Sequence, residues 1–170
     1  MRYWWVNQNQ TFQHEVPGGY LCSPKKNQDG STNHFYETMR EVAPGDLVFS
    51  YNDKKIMALW VAVRPAYTCP KPESFGSVGA NWDNVGWRVD VNFRILTKQI
   101  QPKMHMDLLR QFLPPKYSPI REDGVGNQIY LAEIPQGFSQ ALIALIGMEA
   151  ETISQQTKQD SAKEDFQAIY

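Results

Sequence analysis

Short apolar runs, separated by polar stretches punctuated with Gly and Pro, make up this chain. The first run comes almost at once. Tyr3-Trp4-Trp5-Val6 predicts a strand over 2–6. Neighbouring strand residues point to opposite faces. The pair therefore divides, with Trp4 packing inward or under a helix. Trp5, together with Asn7 two residues on, is expected to face a slot for a flat ligand. A one-residue slip exchanges the two assignments.

Residues 7–34 carry Pro17, Gly18, Gly19, Pro24 and Gly30 and predict a long loop. Long loops in compact domains usually carry function. Phe35 to Val42 fits a short helix. Pro44-Gly45-Asp46 turns the chain into a strand over 47–51, and Asn52-Asp53 turns it back into a strand over 56–63, a hairpin. A second long loop is predicted over 68–86. Trp87, Val89, Val91, Phe93 and Ile95 then alternate with Arg88, Asp90, Asn92 and Arg94, which predicts one strand over 87–96. A helix fits 105–112, a loop 113–128 and a strand 128–134. A helix from Pro135 places Phe138, Leu142, Leu145 and Ile146 on one face. After Gly147 the chain turns polar. Residues 1–147 are expected to form the domain, and 148–170 a polar helical linker or the start of a connection to a missing domain.

The fold class predicted is α+β: a small mixed β-barrel of about five or six strands with short flanking helices. At 170 residues, 42% hydrophobic and 21% charged, the chain supports one domain with a core. The net charge of −1 excludes a globally basic surface, so any nucleic-acid contact must be local. Two cysteines without a CxxC imply neither a disulfide framework nor zinc. No apolar stretch reaches the ~18 residues of a membrane span, so a cytoplasmic protein without a membrane partner is expected.

Enzyme signatures are missing. The three histidines, His14, His34 and His105, form no HxxxH, and there is no GxSxG or P-loop. No catalytic residue, metal or cofactor is expected. Aromatics at 12% are plentiful instead, and large aromatics in loops on a rigid barrel build stacking pockets. The pocket set predicted is Trp5, Asn7, Tyr20, Tyr36, Ser50, Tyr51, Trp82, Trp87 and Asp90. Asn7, Ser50 and Asp90 in that set supply the hydrogen bonds that read a base edge. Most of these aromatics also fit as core or loop anchors, and Asp90 fits equally as a solvent-facing strand residue. Lys25, Lys26, Lys54 and Lys55 are candidate phosphate contacts around the same loops, although each also fits an ordinary surface charge.

The order of segments resembles an EVE domain, a branch of the PUA-like superfamily related to YTH readers. Four segments carry the resemblance: Tyr3-Trp4-Trp5-Val6; Met39 followed by Pro44-Gly45-Asp46-Leu47-Val48-Phe49; Ala66-Tyr67 with Pro70 and Pro72; and Trp87-Arg88-Val89-Asp90-Val91-Asn92-Phe93. The loops Gly19-Tyr20-Leu21-Cys22-Ser23-Pro24-Lys25 and Lys116-Tyr117-Ser118-Pro119 are similar to the N-terminal domains of bacterial EVE–HNH endonucleases. The resemblance implies a PUA-like fold that flips 5-methylcytosine or 5-hydroxymethylcytosine out of double-stranded DNA into an aromatic pocket. It also implies an HNH nuclease domain in the same parent chain, and a homodimer if both strands are cut. One position departs from the pattern: relatives carry tryptophan where this chain has Cys22. The residues leave three rivals: an RNA reader of the YTH or PUA kind, a nuclease whose catalytic part lies beyond Tyr170, and a small-molecule or protein-binding module on the same fold.

Overall fold

The computed structural model of the chain describes residues 1–79 and 85–156, so Trp82 lies outside the described residues. Within them the strands are β1 (Tyr3–Asn7), β2 (Tyr20–Pro24), β3 (Leu47–Asn52), β4 (Lys55–Val61), β5 (Tyr67–Pro70), β6 (Val85–Asp90), β7 (Arg94–Ile100) and β8 (Leu131–Ile134). The α-helices include α1 (Phe12–Gly18), α2 (His34–Glu37), α3 (Met106–Leu109) and α4 (Gln136–Ile146). Five strands form one sheet in the order β7-β4-β3-β1-β8, and three form another, β2-β6-β5. The α+β class with short helices is thus as expected.

β1 runs parallel to β3 and antiparallel to β8. Parallel neighbours need a crossover rather than a tight turn. That crossover carries α1, β2 and α2 over the end of β1. The architecture therefore assembles a set of polar and aromatic side chains at one place.

Both faces of β1 are covered. Tyr3 and Trp5 pack with Phe49, Leu109, Phe138 and Leu142 beneath α3 and α4. Trp4 and Val6 pack with Leu21, Met39, Val48 and Val89 between the two sheets. Both indoles are fully buried. Alternation separates them as expected, but each face meets a second apolar layer.

The polar stretch 7–34 is not one loop. α1 and β2 form within it, joined at Gly19, which adopts φ 74° and returns its N–H to the carbonyls of Glu15 and Val16. A left-handed residue is a common helix stop, and glycine takes that conformation without strain. Only seven residues with Pro17 inside, α1 is too short for its apolar period to register. Among the described residues of 68–86, β5, two short 3-10 turns over Glu73–Gly79 that meet at a kink at Gly76, and the start of β6 stand where a loop is predicted. The strand predicted over 87–96 is two strands in different sheets. The phase slips between them: Val91 is buried, Ile95 is 57% exposed and Leu96 is 2% exposed. The chain crosses between sheets at this slip. Beyond Gly147, residues 148–156 are helical, and Ala150 and Ile153 join the core. Core packing thus continues past the expected domain limit at 147.

The turn into β3 is a structural anchor. Pro44 and Gly45 (φ 89°) occupy its centre, and Asp46 N–H donates to the Ala43 carbonyl at 3.0 Å, the pattern of a type II turn. The buried Asp46 carboxylate accepts from Trp4 Nε1 (3.0 Å), Ala43 N (2.9 Å) and Arg2 N (2.9 Å). It fastens the first strand to the turn. Asp46→Ala leaves these donors without an acceptor in a closed site. It should cost about 2–4 kcal/mol, read as a lower denaturant midpoint.

Candidate functional site

The crossover and the end of β8 enclose a cleft of about 660 Å³. Phe35 and Tyr36 of α2, Phe75, and Tyr130 before β8 bring aromatic rings to it. Asn7, Thr11, Ser23, Asn33 and Lys26 bring polar groups. That volume lies within the usual range for small-ligand sites, about 300–1,000 Å³.

Local chemistry fixes each wall. The Asn33 side chain caps α2 by accepting from Phe35 N–H at 2.9 Å and donates to Asn27 Oδ1 at 2.9 Å. Asn is among the favoured helix N-caps for this reason. Asn27 and Ser31 close the rim loop, with Asn27 Nδ2 donating to Ser31 Oγ at 3.0 Å. Thr38 Oγ1 donates to the Leu131 carbonyl at 2.7 Å, which ties the segment after α2 to β8. Asn7 Nδ2 donates to the Asn127 carbonyl at 3.5 Å, and its Oδ1 accepts from Asn9 N–H at 3.1 Å.

A buried carboxylate lies behind the cleft wall. Glu15 is fully enclosed and accepts from Thr11 Oγ1, from the Tyr130 hydroxyl and from Cys22 N–H, the last at 2.8 Å. Burial pushes its pKa up to about 7, against the opposing pull of hydrogen bonds from Thr11, Tyr130, Cys22 and Gln8. Thr11, Cys22 and Tyr130 all line the cleft, so Glu15 holds three wall residues from behind. Burial and the nearby Glu15 carboxylate drive the Tyr130 phenol well above its usual range. Burial, with Glu15 adding, also pushes the Cys22 thiol up to about 12. At neutral pH it is a small apolar surface and not a thiolate nucleophile.

Of the expected pocket residues, Asn7 and Tyr36 line this cleft, with Lys26 on its rim. Burial raises the Tyr36 phenol pKa. Trp5, Tyr20, Ser50, Tyr51, Trp87 and Asp90 are not among the cleft-lining residues. Trp5 stacks on Phe138 (centroids 5.8 Å apart) and leans on Tyr51 (4.9 Å), and all three are core. Ser50 is buried and donates to Gln8 Oε1. Tyr20 packs with Cys22 and Phe75, under the Arg88 guanidinium 4.2 Å from its ring. Trp87 is half-buried, with the Lys25 ammonium 4.1 Å and the Arg40 guanidinium 5.5 Å from its ring. Lys25 also donates to Thr68 Oγ1 at 2.6 Å.

Asp90 is occupied by its own neighbours. It accepts from Arg64 Nε (2.5 Å), Arg88 Nε (3.1 Å) and the Tyr67 hydroxyl (3.0 Å). Burial pulls its pKa upward, but hydrogen bonds from Arg88, Tyr67 and Arg64 outweigh that and hold it below the usual carboxylate range. Its acceptors are filled by Arg64 before β5, Tyr67 of β5 and Arg88 of β6, none of which lines the cleft. Lys54 and Lys55 occupy the β3–β4 turn, where Asp53 and Lys54 both take positive φ. That turn reaches the cleft mouth through Asp53 N–H, which donates to Asn9 Oδ1 at 3.0 Å.

Sequence reasoning did not single out Thr11, Asn33, Phe75 and Tyr130, which line the cleft, or Glu15, which backs it. Asn33 two residues before Phe35 was a readable capping signal. Glu15 carried none, because its burial follows from the crossover. Among the described residues no group of three or more His, Cys, Asp or Glu side chains is placed to hold a metal ion, and no helix is long and apolar enough to cross a membrane.

No protein-family model and no curated protein matches the sequence. Solved structures do. The DUF55 domain of human thymocyte nuclear protein 1 superposes with a TM-score of 0.56 at 14% identity over 86% of this chain and 99% of that one. The Pho92 YTH domain, solved in complex with m6A, gives 0.55 at 14% identity over 86% of each chain. The YTH domain of Zygosaccharomyces rouxii MRB1, solved with N6-methyladenosine RNA, gives 0.53 at 13% identity over 86% and 87%. The chain thus shares the fold of the DUF55 and YTH domains.

Proposed function

We propose that this chain is a non-catalytic reader of a modified nucleic-acid base, and that the base sits in the cleft between α2, β2 and Tyr130. The observation that carries this reading is the lining itself. Aromatic rings of Phe35, Tyr36, Phe75 and Tyr130 face a space ringed by the polar side chains of Asn7, Thr11 and Asn33, with Lys26 on the rim. Base recognition needs both parts: flat apolar surface for the ring, and donors and acceptors for its edge. Asn7 and Asn33 each carry an amide able to donate and accept. Two structural neighbours bind N6-methyladenosine, which supports a base as the ligand class.

In its finer form the proposal takes 5-methylcytosine or 5-hydroxymethylcytosine in DNA as the ligand. The base is flipped from the duplex, and the chain serves as the specificity module of a modification-dependent HNH endonuclease in the bacterial cytoplasm. The segment order and the two loops similar to EVE–HNH proteins support this form. Stacking at about 1–3 kcal/mol per base offsets the few kcal/mol of unstacking. A buried methyl adds only about 0.8 kcal/mol, so selectivity from it alone is several-fold. A second reading, a modified adenine in RNA, is favoured by the two YTH neighbours.

The test is a binding panel of duplex DNA and single-stranded RNA. The oligonucleotides carry unmodified cytosine, 5-methylcytosine, 5-hydroxymethylcytosine, adenine or N6-methyladenine in one sequence. Preference of at least several-fold for a modified cytosine in DNA is expected. Preference for methylated adenine in RNA moves the assignment to the second reading. Equal affinity for every member sinks both.

A further inference from the structure

Beside the cleft lies an exposed aromatic stack that the base pocket does not use. His34 and Tyr117 stack at 3.7 Å between ring centroids, with planes 15° apart. Both are exposed, Tyr117 at 42%. Phe35 meets both rings edge-on, at 5.3 Å from His34 and 5.8 Å from Tyr117. Phe35 also lines the cleft, so cleft and stack share a wall. Lys116 places its ammonium 4.8 Å from the Tyr117 ring centroid.

Tyr117 holds this position at a cost. Its φ is +60°, a left-handed conformation that a bulky residue rarely adopts. The neighbouring chain enforces it. Ser118 Oγ donates to the Ile120 carbonyl at 2.6 Å, and Asn127 donates from Nδ2 to the Ser118 carbonyl (2.8 Å) and from its backbone to the Pro119 carbonyl (2.9 Å). Ile120 itself is fully buried. An exposed tyrosine gains little from core burial to offset its strain. Strained residues of this kind concentrate at ligand clamps.

We infer that Tyr117, backed on one face by His34, is a stacking platform for the nucleotide next to the one held in the cleft, with Lys116, whose ammonium lies over the ring in the free chain, turning out to that nucleotide's phosphate. The inference rests on the base-reading assignment of the cleft. It adds a second subsite and a minimum ligand of two nucleotides, the second unstacked from its neighbours. Every base offers a π-face, so the platform contributes affinity without sequence preference.

The experiment compares the full chain and its variants against two probes: a mononucleoside and a single-stranded pentanucleotide, each carrying 5-methylcytosine, with N6-methyladenine versions in parallel. The wild type should bind its preferred pentanucleotide about 10-fold or more tighter than the matching mononucleoside. Tyr117→Ala should remove most of that advantage and leave mononucleoside affinity unchanged, whereas Tyr117→Phe should keep it. Tyr117→Gly relieves the left-handed strain, so it should lose the same affinity with a Tm at or above wild type; this separates binding from folding. A pentanucleotide advantage that survives Tyr117→Ala, or its absence in the wild type, overturns the platform and leaves the cleft reading standing. Tyr117-dependent oligonucleotide binding without any base selectivity supports the platform and overturns the cleft reading. A wild type that binds neither single-stranded probe overturns the platform, and the cleft reading is then decided by the duplex panel.

Discussion

Replacing Phe35 and Tyr36 together by alanine is expected to weaken binding of the preferred modified oligonucleotide by two to three orders of magnitude. Each ring is worth about 1–3 kcal/mol of base stacking, and about 1.4 kcal/mol is tenfold in affinity. The two side chains are adjacent on α2 and both line the cleft. Neither is fully buried, and neither caps the helix, since Asn33 does that. The Tm should therefore move far less than the affinity. Binding is read by titration calorimetry. An unchanged Kd in the double variant would remove these rings from the site. A rise in Kd that came with a large fall in Tm would assign them to folding.

The second large effect concerns Glu15 and runs against the usual acid behaviour of carboxylates. Burial raises its pKa in the folded chain to about 7, from an ordinary value of 4.5. The folded state therefore binds the proton more tightly than the unfolded chain. Stability from this group is fully present below pH 4.5, declines as pH rises through the interval, and is lost above pH 7. A shift of this size corresponds to about 3 kcal/mol. Denaturant melts of wild type and Glu15→Gln between pH 4.5 and pH 8 check it. The wild type should lose roughly that amount relative to the variant across the interval, because glutamine has no proton to lose. Parallel curves would show that Glu15 does not titrate there. A wild type that gained stability relative to the variant on going to pH 8 would reverse the sign and place its folded pKa below 4.5.

Strong periods were legible in the sequence. The Tyr3–Val6 run, the hairpin of β3 and β4, and the Phe138–Leu142–Ile146 stripe of α4 all appear where the pattern placed them, because each repeats its period over enough residues. Asn7, Tyr36 and Lys26, three of the residues expected at a site, do line the cleft. Trp5 does not. Alternation tells which residues share a face, but not what covers that face, and α4 covers it here. Asp90 presented as a free acceptor beside Trp87, yet Arg64 and Tyr67, more than twenty residues away, fill it. Glu15 was invisible for the same reason: only the parallel crossover from β1 to β3 brings Tyr130 and Cys22 onto it. Local pattern reports propensity and face, whereas the site depends on contacts distant in sequence.

The parallel β1–β3 pairing explains how one fold combines these features. Its crossover sets a short capped helix, an edge strand and a buried carboxylate around one opening. The packing beneath, from both tryptophans to the Asp46 turn, anchors β1, whose last residue Asn7 lines that opening. Rigid support under polar and aromatic side chains is what selective recognition of a flat ligand requires.

Amide chemical shifts of the labelled chain, followed as 5-methyl-2′-deoxycytidine and then N6-methyladenosine are titrated against their unmodified counterparts, test the central claim most directly. The prediction is a saturable set of shifts for a modified nucleoside, confined to Asn7, Ser23, Asn33, Phe35, Tyr36 and Tyr130 and several-fold weaker for the unmodified one. Shifts centred instead on Arg64, Tyr67 and Arg88, or none for any nucleoside, would contradict the account.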